Sequence, residues 1–209
     1  MYDPDEQQQL DDIKKWFKRH GKKMAALLAV ALISLSGVLG YKNYQHGQEE
    51  KASAMYDSLV KMDAGDLKKV RLAASAIVES YPKTPYAARS AMYMATLDFG
   101  SGDLNDARLQ LQWVLDHAAE PDLKDIARLR FARVLFDENK YQDAFAMLDT
   151  KHNDAYDGLY SDLKGDIYLA QGKREEARSA YLMALNKSDA GNAFHNYLQI
   201  KLESTGGAK

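Results

Sequence analysis

The run Met24 to Gly40, MAALLAVALISLSGVLG, has no charged residue and directly follows a segment dense in lysine and arginine. At ~1.5 Å per residue these 17 residues make a helix of roughly 26 Å, slightly short of a ~30 Å hydrocarbon core. Snorkelling Lys22, Lys23 and Lys42 and interfacial Trp16, Phe17, Tyr41 and Tyr44 supply the missing length. Lys14, Lys15, Lys18, Arg19, Lys22 and Lys23 precede the run, whereas Tyr41 to Glu50 offers Lys42 against Glu49 and Glu50. The positive-inside bias therefore predicts a cytoplasmic N-terminus and an exported remainder. A cleaved signal peptide is the rival, since Ser34 and Ser36 stand like the small residues of a cleavage site. Against it, apolar residues continue through Val38 and Leu39, and the preceding extension is long and carries Asp3, Asp5, Glu6, Asp11 and Asp12. Ser36 and Gly40 form a small-xxx-small pair, a weak signal for helix association.

Residues 49–209 hold 21 Lys+Arg and 25 Asp+Glu, a balance of −4 that argues against a nucleic-acid partner. There is no cysteine, so an exported domain must be held by packing, and cysteine-based redox chemistry and zinc-thiolate sites are excluded. Four prolines among abundant Ala, Leu, Tyr and Met predict helices throughout.

A period near 34 residues marks the C-terminal segments as helical repeats. The clearest unit places Gly165, Tyr168, Gly172, Ala177, Tyr181 and Ala184 at the spacing of the tetratricopeptide pattern, with small residues where paired helices approach. Ala132, Leu135, Asn139, Ala144 and Leu148 repeat it 33 residues upstream. Ala95, Gly102, Ala107, Leu111 and Val114 repeat it again, displaced by 37, with the added length assigned to Glu120-Pro121. The first copy, Lys51 to Tyr81, is degenerate and reads as a capping unit with a turn at Ala64-Gly65-Asp66. Helix pairs are predicted at 49–80, 85–118, 122–150 and 156–187, followed by a helix at 190–203. Thr84-Pro85 reads as an N-cap and first helical position, and Asp103 to Asp106 as a capping box with Asp in place of Glu. The expected fold is all-α: one N-terminal transmembrane helix followed by a tetratricopeptide-like solenoid. Its segments are 1–23 cytoplasmic, 24–41 transmembrane, 42–48 a juxtamembrane linker, 49–204 the periplasmic repeat domain and 205–209 a tail.

Several segments together carry a family resemblance. They are the acidic start with Ile13-Lys14-Lys15-Trp16-Phe17 and Gly21-Lys22, the apolar span, and Tyr81-Pro82-Lys83-Thr84-Pro85-Tyr86-Ala87-Ala88. Ala127-Arg128-Leu129-Arg130-Phe131-Ala132-Arg133-Val134-Leu135 and Leu163-Lys164-Gly165-Asp166-Ile167-Tyr168 follow in order. In this arrangement the chain resembles the YfgM family of ancillary subunits of the bacterial Sec translocon, departing at Phe17 and His20 where Trp and Asn are expected. The resemblance implies a bacterial inner-membrane protein with a periplasmic tetratricopeptide-like domain, found with SecYEG and with the membrane-anchored chaperone PpiD. Exported client proteins are its further expected partners. It transfers no catalytic residue.

No catalytic constellation is visible either. His20, His46, His117, His152 and His195 are scattered, without an i, i+3 or i+4 pair or an HExxH spacing. Gly100-Ser101-Gly102-Asp103 lacks the Gly-Lys-Ser/Thr ending of a phosphate loop and reads as an inter-helix turn. Asp137-Glu138 and Glu175-Glu176 fall in turns and first helical turns, where solvent and the helix dipole account for them. Neither a metal, a cofactor nor an enzymatic activity is expected; a hydrolase using Asp162 and Asp166 lacks a recognisable partner pair.

A solenoid acts through its surface, and successive first helices line a groove. With Gly165 at the eighth repeat position, the groove positions are Met55, Leu59 and Met62; Arg89, Met92, Thr96 and Phe99; Ile126, Leu129, Arg133 and Phe136; Leu159, Asp162, Asp166 and Leu169. Met92, Phe99, Leu129, Arg133, Phe136 and Leu169 are the expected protein-binding residues, suited to apolar segments or a partner helix. The alternative is that several of them pack within the solenoid or under the C-terminal helix. In function, the expectation is an interaction subunit at the export site that hands exported chains to a periplasmic chaperone. The alternative is a general membrane-anchored tetratricopeptide scaffold for envelope assembly, unlinked to Sec.

Overall fold

The computed structural model describes residues 4–206; the outermost residues of the expected N-terminal segment and tail, 1–3 and 207–209, lie outside it. Nine α-helices and one short 3-10 turn make up the described chain, with no strand. By contacts it divides after Glu50 into two units.

The first unit is built on α1 (Pro4–Leu59), which contains the apolar run and continues helically through 42–48, the expected linker. From Met24 to Gly40 every residue is exposed. Among the described residues this is the one helix long and apolar enough to cross a membrane. An all-round apolar surface that no protein covers is costly in water and natural in lipid. Just upstream, His20 Nδ1 lies 3.2 Å from the Trp16 carbonyl and Trp16 packs edge-on against Phe17.

The second unit contains the last turns of α1 and α2 (Leu67–Ser80), α3 (Pro85–Gly100), α4 (Leu104–His117), α5 (Pro121–Asp137), α6 (Tyr141–Leu148), α7 (Asp157–Ala170), α8 (Arg174–Asn186) and α9 (Ala193–Ser204). The helices pair as α3 with α4, α5 with α6 and α7 with α8, while α2 packs on α3, α4 on α5 and α9 on α8.

Small residues set these pairings. Ala107, Ala144 and Ala177 are fully buried at equivalent positions of α4, α6 and α8, and Leu111, Leu148 and Tyr181 follow four residues later, also buried. Opposite them stand Ala95, Ala132 and Gly165. A Cβ on Gly165 would come within 2.9 Å of Tyr181 Cζ and closer to two further ring carbons, so the largest side chain of the series faces the smallest. The turn between paired helices recurs as well: Gly102, Asn139 and Gly172 have φ of 83°, 59° and 75°. This left-handed conformation favours glycine and is tolerated by asparagine, whose short side chain bonds locally; Asn139 Oδ1 accepts from the Tyr141 hydroxyl at 2.7 Å.

If this packing governs stability, Ala177→Leu will lower the unfolding free energy by about 1–3 kcal/mol through overpacking. Leu72→Ala, at a position 75% exposed, will stay within about 0.5 kcal/mol of the parent. Urea midpoints of the two variants separate these outcomes, and equal midpoints would contradict the packing account.

The helix boundaries have local causes. Asp66 and Asp103 cap α2 and α4 by accepting from the N–H groups of Lys69 and Asp106, both at 3.2 Å. Pro85 and Pro121 occupy first positions of α3 and α5. Thr84 differs from its expected capping role: its hydroxyl turns back to the Tyr81 carbonyl (2.9 Å) and makes no cap bond to α3. The last helix begins three residues later than expected, because Gly191 at φ 88° extends the turn and Asn192 caps α9 through the His195 N–H. Thr205, the first residue of the expected tail, is buried and bonds the Leu202 carbonyl.

At the N-terminal end of the stack, Ala52 and Leu59 of α1 join Val70, Ala74, Ile77 and Met94 in a cluster of their own, with Met55 and Met62 packed against it. The degenerate first copy thus contributes core. Arg71 of α2 fastens this end to the next pair, reaching Asp98 of α3, Asp103 in the turn and Asp106 of α4. Burial raises the Asp98 pKa against the pull of Arg71.

Candidate protein-binding face

The first helices of the repeats are joined side by side through long side chains. Arg130 of α5 donates to the Thr96 hydroxyl of α3 at 2.6 Å, and that hydroxyl donates in turn to the Met92 carbonyl at 2.9 Å. Arg133 of α5 pairs with Asp166 of α7 at 3.0 Å, its guanidinium over the Phe136 ring at 5.5 Å. From α9, Lys201 reaches Asp162 and Asp166 of α7, both at 2.6 Å, and the Tyr181 hydroxyl donates to Asp166 at 2.9 Å.

Between α3 and α5 lies a pocket of about 140 Å³ lined by Ala95, Thr96, Phe99, Leu111, Arg130, Arg133 and Val134. Its walls are mostly carbon, and its polar edge is two guanidinium groups and one hydroxyl. Of the three arginines on this stretch of α5, Arg128 is held by Asp125 at 2.6 Å and Arg133 by Asp166. Among the described residues no carboxylate pairs with Arg130. Desolvation lowers its pKa from the ordinary arginine value, yet a guanidinium stays charged at neutral pH.

The six expected binding residues do not form one patch. Phe99 and Arg133 meet in the pocket, and Phe136 adjoins them through the Arg133 stack. Met92, by contrast, is a core residue, 6% exposed among Ala88, Ala95 and Phe131. Leu129 and Phe136 are half-buried against the same core, and Leu169 is half-buried near the end of α7. Successive helical residues turn by 100°, so a frame that is off by one position moves a side chain from groove to core. Asp162 and Asp166, placed in the groove by the repeat frame, lie under α9. Burial raises the Asp162 pKa despite the adjacent ammonium. Burial pulls the Lys201 pKa down, and the two carboxylates more than offset that.

The repeat frame did not single out Arg130, which lines the pocket. Its signal is the run Arg128, Arg130 and Arg133 on one helix, of which only pairing across helices reveals the member left without a counter-charge.

A helix long and apolar enough to cross a membrane, together with a stack of helix pairs with small residues at their contacts, defines an all-α protein of tetratricopeptide-like fold. A family model described as tetratricopeptide repeat-like domain matches residues 14–207. The ancillary SecYEG translocon subunit of Neisseria gonorrhoeae is 31% identical over 202 residues, 96% of this chain and 97% of its own length. The proteins of the same name from Escherichia coli and Haemophilus influenzae are 26% and 25% identical, covering 95% and 88% of this chain and 96% and 90% of their own. The chain belongs to this family, the YfgM family of ancillary SecYEG translocon subunits.

Proposed function

We propose that the chain is a non-enzymatic interaction subunit of the Sec translocon in the bacterial inner membrane. Its apolar segment in α1 remains as an uncleaved anchor, and its N-terminus faces the cytoplasm. The repeat domain then stands in the periplasm beside the export channel. There the α3–α5 face engages exported chains or a membrane-anchored chaperone of the PpiD type and aids handover between them. The observation that carries this reading is the likeness to translocon subunits over 96% of the chain, a span that takes in both the apolar helix and the helix pairs. The orientation rests on the six basic residues upstream of Met24. The choice of face rests on the pocket between α3 and α5, since successive first helices form the binding groove of a solenoid.

In-cell photocrosslinking of the full chain tests it. A photoreactive residue at Thr96 or Arg130 is expected to capture exported chains or a periplasmic chaperone, which the proposed orientation alone permits. The same residue at Leu109 or Met183, exposed on the second helices α4 and α8, is expected to give background only. Capture confined to Leu109 and Met183 would move the binding surface to the other side of the stack.

A further inference from the structure

We propose that the pocket between α3 and α5 selects an extended peptide segment in which a branched aliphatic side chain stands beside a glutamate or aspartate. The aliphatic group enters the pocket and the carboxylate pairs with Arg130. This deepens the reading of the α3–α5 face as the binding face and rests on it.

Three observations fix the chemistry. The pocket, about 140 Å³, is close to the ~150 Å³ of an apolar cavity known to accept a benzene-sized group. Its floor and walls are the side chains of Ala95, Phe99, Leu111 and Val134, which reward one aliphatic group and offer nothing to a charged one. At its edge Arg130 carries a positive charge whose partner is the neutral hydroxyl of Thr96. The neighbouring cations do not compete for the same anion: Arg133 is matched by Asp166, and Arg89 of α3 by Glu120 at 3.0 Å. A guanidinium held by one neutral hydroxyl keeps N–H donors in a planar fork, the geometry that binds a carboxylate through two parallel hydrogen bonds. The same site is unfavourable to a basic segment, whose cation would face the unmatched charge of Arg130. Partner choice would therefore follow charge, with the aliphatic anchor setting register.

The test measures fluorescence anisotropy of labelled, end-blocked peptides against the full chain in detergent micelles. One peptide is Gly-Glu-Leu-Glu-Leu-Gly, and the other has glutamine for each glutamate. The parent is expected to bind the glutamate peptide about tenfold or more tighter, a preference that shrinks as salt is raised. Arg130→Met, which keeps the packing of the side-chain stem, is expected to erase the preference while leaving the thermal melt unchanged, and Arg130→Lys to retain part of it. Should Arg130→Met alter the melt, Arg130→Gln serves in its place. Equal binding of the two peptides to the parent, no binding of either, or a preference that survives Arg130→Met or its substitute Arg130→Gln would overturn the proposal. Crosslinking at Thr96 that persists alongside any of those results would leave the binding face standing and remove only its charge selectivity. Loss of that crosslinking would remove the face itself.

Discussion

Lys201→Met is expected to lower the stability of the helical domain by about 3–5 kcal/mol, the cost of breaking a buried ion pair from one side. Lys201, Asp162 and Asp166 have side chains only 13%, 9% and 13% exposed, so water cannot replace the lost ammonium at either carboxylate. Arg133 and the Tyr181 hydroxyl stay with Asp166, but Asp162 has no other cation in direct contact among the described residues. Charge explains the loss if Lys201→Met combined with Asp162→Asn and Asp166→Asn regains most of the stability, since no buried carboxylate is then left unpaired, and Arg133, which loses Asp166, has a side chain 37% exposed and stays hydrated. If the loss came from the aliphatic packing of α9, where Leu198 is fully buried, the triple variant would recover nothing. Urea unfolding of the three proteins at neutral pH distinguishes the cases.

The same site sets a pH signature. Burial raises the Asp162 pKa above its ordinary 3.8. The folded state therefore holds this proton more tightly than the unfolded chain. That contribution to stability is complete below about pH 4 and is lost as pH rises through the folded pKa. In Lys201→Met two of the effects that lower this pKa, the hydrogen bond and the charge of Lys201, are gone, and only the charge of Arg133 still opposes burial. The variant should accordingly recover stability on mild acidification over a wider pH range than the parent.

What could be seen in the amino-acid sequence was whatever repeats locally. The spacing from Gly165 to Ala184 reflects a contact made within one helix pair, Gly165 against the Tyr181 ring, and it recurs because each unit solves the same packing problem. The left-handed turn recurs for the same reason, with Asn139 replacing glycine where a side-chain hydrogen bond supports it. The apolar run needed no tertiary information, because no other part of the described chain covers it. Contacts across units were not legible. Lys201 meets Asp162 at a separation of 39 residues and Arg71 meets Asp98 at 27, pairings that obey no helical period. The side-chain directions of the expected groove residues were only partly legible. Phe99 and Arg133 reach the pocket, whereas Met92 turns into the core, because each first helix packs on its own pair and on its neighbour and leaves only a narrow stripe open. Arg130 escaped notice because its distinction is a missing counter-charge, a property of its neighbours in space.

The second large expected effect concerns the membrane. Replacing residues 24–40 by an unrelated transmembrane helix should abolish recovery of the translocon, because a tetratricopeptide-like domain in another compartment cannot reach contacts made within the bilayer. Ser36 and Gly40 give the native helix a close-approach surface, and a Cβ on Gly40 would meet nothing within 4 Å beyond its chain neighbours and its own helix backbone, so that side is open to a partner. The helical domain has its own core and should keep its fold and its captures at Thr96 and Arg130. Recovery undiminished by the replacement would reduce the helix to a tether.

The most direct measurement is affinity purification of the full chain from detergent-solubilised membranes, run for the parent and the anchor-replaced variant together. The account predicts the SecY, SecE and SecG subunits in the parent eluate at near-stoichiometric amounts and their loss from the variant. Absence of all three from the parent eluate would contradict it and leave a membrane-anchored scaffold without a link to the translocon.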